Sequence, residues 1–149
     1  MRSEELRDQL EPLISGRGYT LVEVSAESRR GSWHVTVVVH RPQGVSLADC
    51  ESVAWLIRRH PSLGQLLNDA DLEVCSPGVG RKIRDDREYS IFRGRGIRIL
   101  RKGGGDWIRG RIEQAEDGCV TVVGNEARVE VPMREIKRAF LDDTQEVVS

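Results

Sequence analysis

No apolar run in this chain approaches the ~20 residues that cross a bilayer as a helix, and its N-terminus carries acidic residues, with Glu4 and Glu5 in the first turn. Neither a membrane anchor nor a secretory signal is therefore expected. Cysteine is scarce: Cys50, Cys75 and Cys119 are odd in number and widely spaced. That spacing excludes a disulfide framework and a zinc-ligand pattern. Reduced, buried thiols in a cytoplasmic protein are expected instead. Aromatic residues are only 5% of the chain, and few are interleaved with basic ones, which argues against base stacking as the mode of binding. Tyr89 and Phe92 read as packing anchors and Trp107 as core. His34, His40 and His60 have no cysteine or carboxylate partners at metal-ligand spacing. Ser76 lacks the flanking glycines of a nucleophile elbow. Gly94-Arg95-Gly96 precedes a strand instead of a helix, and Gly103-Gly104-Gly105 lacks the Lys-Ser/Thr of a phosphate loop. No catalytic constellation, metal site or cofactor site is expected.

What the chain does have is 38% hydrophobic and 32% charged residues over 149 positions, enough for one folded domain or two small ones. The net charge of −1 hides a strong asymmetry. Residues 81–102 carry nine basic side chains against three acidic ones, a net +6, whereas residues 1–80 sum to −3 and residues 103–149 to −4. Such a distribution speaks to partners more than to fold.

Local patterns give an order of elements. Ser3 can cap a first helix, in which Leu6, Leu10, Leu13 and Ile14 form one apolar stripe. Pro12 should kink that helix or limit its last turn, and Gly16 and Gly18 end it. Thr20–Glu27 alternates, with Val22, Val24 and Ala26 on one face, and Ser28-Arg29-Arg30-Gly31 reads as a hairpin turn. Trp33, Val35, Val37 and Val39 line the inner face of the second strand. Ser46-Leu47-Ala48-Asp49 is a capping box that starts a second helix, with Leu47, Cys50, Val53, Ala54 and Ile57 sharing its buried face. Pro61 should stop it, leaving Ser62–Ala70 as a connection with at most one helical turn. Leu72–Cys75 is a third strand, and Ser76-Pro77-Gly78 a type II turn with Gly78 at positive φ. Asp85 or Asp86 caps a short linker helix, over about 83–95. Five short strands follow: Ile97–Ile99, Trp107–Ile112, Cys119–Val123, Ala127–Val131 and Ile136–Leu141. Their turns fall at the glycine triplet, Asp117-Gly118, Gly124-Asn125 and Pro132. Asp142–Ser149 is a polar tail expected to fray. The fold class is thus α+β. An α-β-β-α-β domain, residues 1–82, carries a three-stranded sheet with two helices. A small β-barrel, residues 83–149, follows it.

The basic segment is the remaining functional signal. Arginine outnumbers lysine seven to two over residues 81–102, and its planar fork suits phosphate or carboxylate. Contact with folded RNA or with an acidic protein surface fits this composition.

Four motifs in register carry a family resemblance. Leu72-Glu73-Val74-Cys75-Ser76-Pro77-Gly78-Val79-Gly80-Arg81 resembles the L-E-V-S-S-P-G-L-D-R signature of the bacterial ribosome maturation factor RimP family. Gly18–Val24 resembles its G-Y-E-L-V-D-V segment, Gly44–Glu51 its G-I-T-L-D-D-C-E segment, and Phe92-Arg93-Gly94-Arg95 its F-x-G-R segment. The chain departs from the signature at Cys75, Gly80 and Lys82, where the family usually has serine, aspartate and proline. The resemblance implies an Sm-like (SH3-like) barrel and a non-enzymatic factor that binds the free small ribosomal subunit and matures it. It implies small-subunit rRNA and ribosomal protein S-twelve as partners of a monomeric chain. On this reading Arg81, Lys82, Arg84 and Arg87 are surface contacts, with Arg93 and Arg95 next. The Ser76-Pro77-Gly78 turn either holds them in place or is simply a turn. A protein–protein adaptor that takes a peptide by strand addition or in a groove is the alternative.

Overall fold

The computed structural model describes residues 2–124 and 127–146. The chain divides into two compact units, Met1–Pro77 and Gly78–Ser149. Residues 78–82, grouped with the first domain by the sequence, lie in the second unit. The reason is pairing: Lys82 bridges to Phe140, Ile83 N–H donates to the Ala139 carbonyl at 2.9 Å, and Leu141 N–H donates to the Arg81 carbonyl at 2.8 Å.

In the first unit, α1 (Ser3–Ser15) is followed by β1 (Thr20–Arg29) and β2 (Ser32–His40), then α2 (Leu47–Arg59), α3 (Pro61–Leu66) and β3 (Asp71–Cys75). β2 is central, antiparallel to β1 and parallel to β3. Arg30 and Gly31 adopt φ of +52° and +81° between the paired residues Arg29 and Ser32. That is the two-residue hairpin whose twist matches its strands. Leu6, Leu10 and Ile14 of α1, Val53 and Ile57 of α2, and Leu63 of α3 close over Val35, Val37 and Val39.

Four local expectations are corrected. Ser3 lies inside α1, and Arg2 precedes it without a side-chain cap. A bulge between Leu21 and Glu23 makes Val22 the extra residue, so Leu21, not Val22, joins Val24 and Ala26 against the core. Leu47 is 77% exposed, because it is the first residue of α2 and points off its buried face. Pro61 starts a helix instead of only ending one. It stands at the first position of α3, where a missing N–H costs nothing, and His60 caps that helix through Nδ1, which accepts from Leu63 N–H at 3.2 Å. Gly64 allows the two helices to meet: a Cβ there would sit 2.3 Å from the Arg58 carbonyl oxygen.

The expected capping box of α2 is present, with Asp49 N–H donating to Ser46 Oγ at 3.1 Å and Ser46 N–H to Asp49 Oδ2 at 2.8 Å. Asp49 also receives Tyr19 Oη–H at 2.8 Å and Arg41 Nη2 at 2.7 Å. The Ser46 backbone N–H, then the Tyr19 and Ser46 hydroxyls, with the Arg41 charge adding less, hold its carboxyl down to about 2.

In the second unit, α4 (Glu88–Ile91) precedes β4 (Gly96–Arg101), β5 (Ile108–Glu116), β6 (Cys119–Val123), β7 (Arg128–Pro132) and β8 (Ile136–Leu141). The linker helix expected over 83–95 is thus one turn, without a side-chain cap. The strands form an antiparallel five-stranded sheet in the order β7-β6-β5-β4-β8. Ile97, Ile99, Ile112, Val120, Val122, Val131, Ala139 and Leu141 are all buried to within 1%, which is the strand alternation read from the sequence. Asp117 and Gly118 take φ of +54° and +75° in the β5–β6 turn. The Gly124-Asn125 turn falls partly outside the described residues. The tail does not fray from its start: Asp142 is buried, and a 3-10 turn covers Asp143–Glu146. Among the described residues no helix is long and apolar enough to cross a membrane.

Candidate functional site

The segment after β3 turns later than its sequence suggests. Arg81 N–H donates to the Gly78 carbonyl at 3.1 Å, and the residue at positive φ is Gly80, at +73°. The turn therefore runs Gly78-Val79-Gly80-Arg81, after Ser76 and Pro77. Glycine at position 80, a departure from the family signature, is the residue that this turn requires at its third position.

The turn delivers Arg81 into the second unit. Its side chain is 8% exposed and its Nε lies 2.9 Å from Glu88 Oε1, itself 2% exposed. Glu88 Oε2 accepts the Arg84 N–H at 3.3 Å. This is a buried ion pair tying the β8 edge to α4, so Arg81 is not on the surface. Its fork satisfies a carboxylate of the same unit.

The other basic candidates are spread over the unit. Lys82 and Arg84 are exposed. Arg87 is half-buried, with Nε 3.8 Å from Asp85 Oδ2. Arg93 is exposed and donates from Nε to the Glu113 carbonyl at 2.8 Å. Arg95 is half-buried, its guanidinium 6.0 Å from the Phe92 ring centre. Arg93 borders a cleft of about 190 Å³ with Gly94, Arg111, Ile112, Glu113 and Val123. Lys82 stands apart from it, at the β8 edge.

A second basic group, which window-by-window charge counting missed, lies on β4, β5 and β8. Arg98 pairs with Arg109 on one side and Phe140 on the other, and Phe140 pairs with Lys82. The Arg98 guanidinium lies 4.9 Å from the Phe140 ring centre and 5.6 Å from that of Trp107. Trp107 is thus half-buried beside an arginine, not in the core. The signal available in the sequence was the alternation of Arg98 with Ile97 and Ile99, and of Arg109 and Arg111 with Gly110 and Ile112. Among the described residues no three His, Cys, Asp or Glu side chains are grouped to hold a metal, and the three cysteines are free thiols.

Fold and site together define a two-unit α+β protein: a three-stranded sheet under helices, then an antiparallel unit that carries arginines on its strands. Residues 9–80 match the family model of the RimP N-terminal domain, a span that contains β1 to β3 and ends at Gly80. This match supports the RimP family of ribosome maturation factors.

Proposed function

We propose that this protein is a non-enzymatic assembly factor that binds the free small ribosomal subunit and is required for its maturation. The observation that carries the reading is the RimP N-terminal domain over residues 9–80. The second unit supports it. Its last strand returns beside its first, and a 3-10 turn (Met133–Glu135) separates β7 from β8, which suits a small Sm-like (SH3-like) barrel. Lys82, Arg84, Arg87, Arg93 and Arg95 offer cations to rRNA phosphates, while Arg81 holds the scaffold beneath them. Ribosomal protein S-twelve is the protein partner that the family resemblance suggests. The chain acts in the cytoplasm, as a monomer, without cofactor or metal. Its work is done by differential affinity: binding one arrangement of rRNA and protein more tightly than the immature ones shifts the population toward it.

Co-sedimentation with purified free small subunits, and separately with joined ribosomes, at two salt concentrations tests this. Binding to the free subunit alone, weakening steeply as salt rises, is the expected result. A folded chain that binds neither would overturn the reading and leave a peptide-binding adaptor in its place.

A further inference from the structure

We infer that the outer face of β4, β5 and β8 is a contact for single-stranded RNA, built by Lys82, Arg98, Arg109, Arg111 and Arg138 around the rings of Trp107 and Phe140. The biological source of that RNA rests on the assembly-factor reading; the chemistry of the face does not.

The register makes the face. Residues directly opposite one another in a sheet point to the same side. The pairings Lys82 with Phe140, Phe140 with Arg98, and Arg98 with Arg109 therefore set four side chains in one row. Strands about 4.8 Å apart make that row about 14 Å long. Arg111 and Arg138 lie on the same side, two residues along β5 from Arg109 and along β8 from Phe140. The opposite side of these strands holds Ile97, Ile99, Ile112, Ala139 and Leu141, all buried, so the cations face outward. Lys82, Arg109, Arg111 and Arg138 are exposed, and Arg98, Trp107 and Phe140 half-buried.

The charges on this face do not balance. Arg98 and Arg109 are like charges placed directly opposite each other, which destabilises a sheet. Asp142 lies 3.6 Å from Arg109 Nη1 and already accepts the Thr144 N–H and hydroxyl, while Glu113 of β5 is paired with Arg128 at 2.9 Å. Lys82, Arg98, Arg109, Arg111 and Arg138 around Asp142 leave the face net positive, which attracts anions. Asp142 and the two rings offset only part of that repulsion, and a local rule broken in this way marks a place where function offsets the rest.

The rings decide which anion. Trp107 and Phe140 stand 6.1 Å apart, centre to centre, with the Arg98 guanidinium against both. Flat rings and a flat guanidinium among cations suit bases and phosphates together. An acidic peptide would use the charges and leave the rings idle, and a duplex would hide its base faces.

The test is fluorescence anisotropy of a short, labelled single-stranded RNA of mixed sequence with the full chain over a range of salt. A hairpin duplex and polyglutamate serve as competitors. Arg111→Glu with Arg138→Glu should weaken binding about tenfold or more and flatten the log–log salt slope by about 1.4, the share of two phosphates on a single strand. Trp107→Leu should weaken binding about tenfold with the slope unchanged. Wild-type affinity in the folded double-glutamate variant would overturn the inference, as would polyglutamate or the duplex competing as well as the single strand. Should Trp107→Leu fail to fold, the two exposed arginines still carry the test. Subunit co-sedimentation separates the two proposals. Subunit binding with RNA binding indifferent to these residues removes this inference alone. RNA binding through this face without subunit binding removes the assembly-factor reading alone.

Discussion

Arg81→Met should destabilise the second unit by about 3–5 kcal/mol, the cost of removing one partner from a buried ion pair. The structure sets that figure: Arg81 and Glu88 side chains are 8% and 2% exposed, and Nε–Oε1 is 2.9 Å. Without the guanidinium, the Glu88 carboxylate stays out of water and loses its counter-charge. For a unit of this size each kcal/mol lowers Tm by about 4–8 °C, so even 3 kcal/mol is on the order of 12–24 °C. Arg81→Met with Glu88→Leu should cost less than Arg81→Met alone, because no buried charge remains. Urea unfolding should be followed through exchange of the Leu141 and Ile83 amides, which bond to the Arg81 and Ala139 carbonyls and so report this unit by itself. A loss below about 1 kcal/mol, typical of an exposed pair, would refute the argument and return Arg81 to the surface contacts. The same geometry bears on charge reversal: Arg81→Glu would set two carboxylates together in a buried place and unfold the unit before it tested any RNA contact.

Three further outcomes follow from the geometry. Asp49 titrates at about 2 in the folded chain, below its unfolded value of about 3.9. Its contribution is complete above pH ~4 and is lost as pH falls toward ~2. The first unit should therefore lose stability more steeply over that window than Asp49→Asn does, and parallel acid-unfolding curves would refute this. Gly64→Ala would ordinarily stabilise a helix by up to about 1 kcal/mol. Here the Arg58 carbonyl 2.3 Å from the added Cβ should reverse the sign to a loss of about 1–3 kcal/mol, measured by urea unfolding. Gly80→Ala, at φ +73°, should cost about 1–2 kcal/mol. Gly78→Ala, in open space and outside the left-handed region, should cost much less. Equal losses at the two glycines in thermal unfolding would place the turn wrongly.

Features carried by neighbouring residues were legible before any coordinates. The Ser46–Asp49 capping box, a hairpin turn within Ser28–Gly31, the apolar stripe of α1 and five short strands with glycine turns are all written within a few positions. Where two local meanings compete, the sequence could not choose. Pro61 ends one helix and begins the next, and only the packing of Leu63 into the core selects the second meaning. Likewise Pro77-Gly78 reads as the turn, and the bond from Arg81 N–H to the Gly78 carbonyl moves it two residues on, to Val79-Gly80.

The sequence by itself determined the order of the strands with α1 and α2, the α+β class, the separation of an acidic first half from a basic middle, and the motifs that led to the RimP family. Periodicity, caps and turn chemistry act between residues a few positions apart, so they survive reading in one dimension. Only the tertiary structure decided which arginines face outward. Arg81 looked like the leading surface contact until its pairing with Glu88 buried it. Arg98, Arg109, Arg111 and Arg138 were divided among windows of opposite net charge until β4, β5 and β8 brought them onto one face. Charge sums along the chain weigh each residue equally, whereas binding depends on burial and on neighbours across strands, and these are set by register.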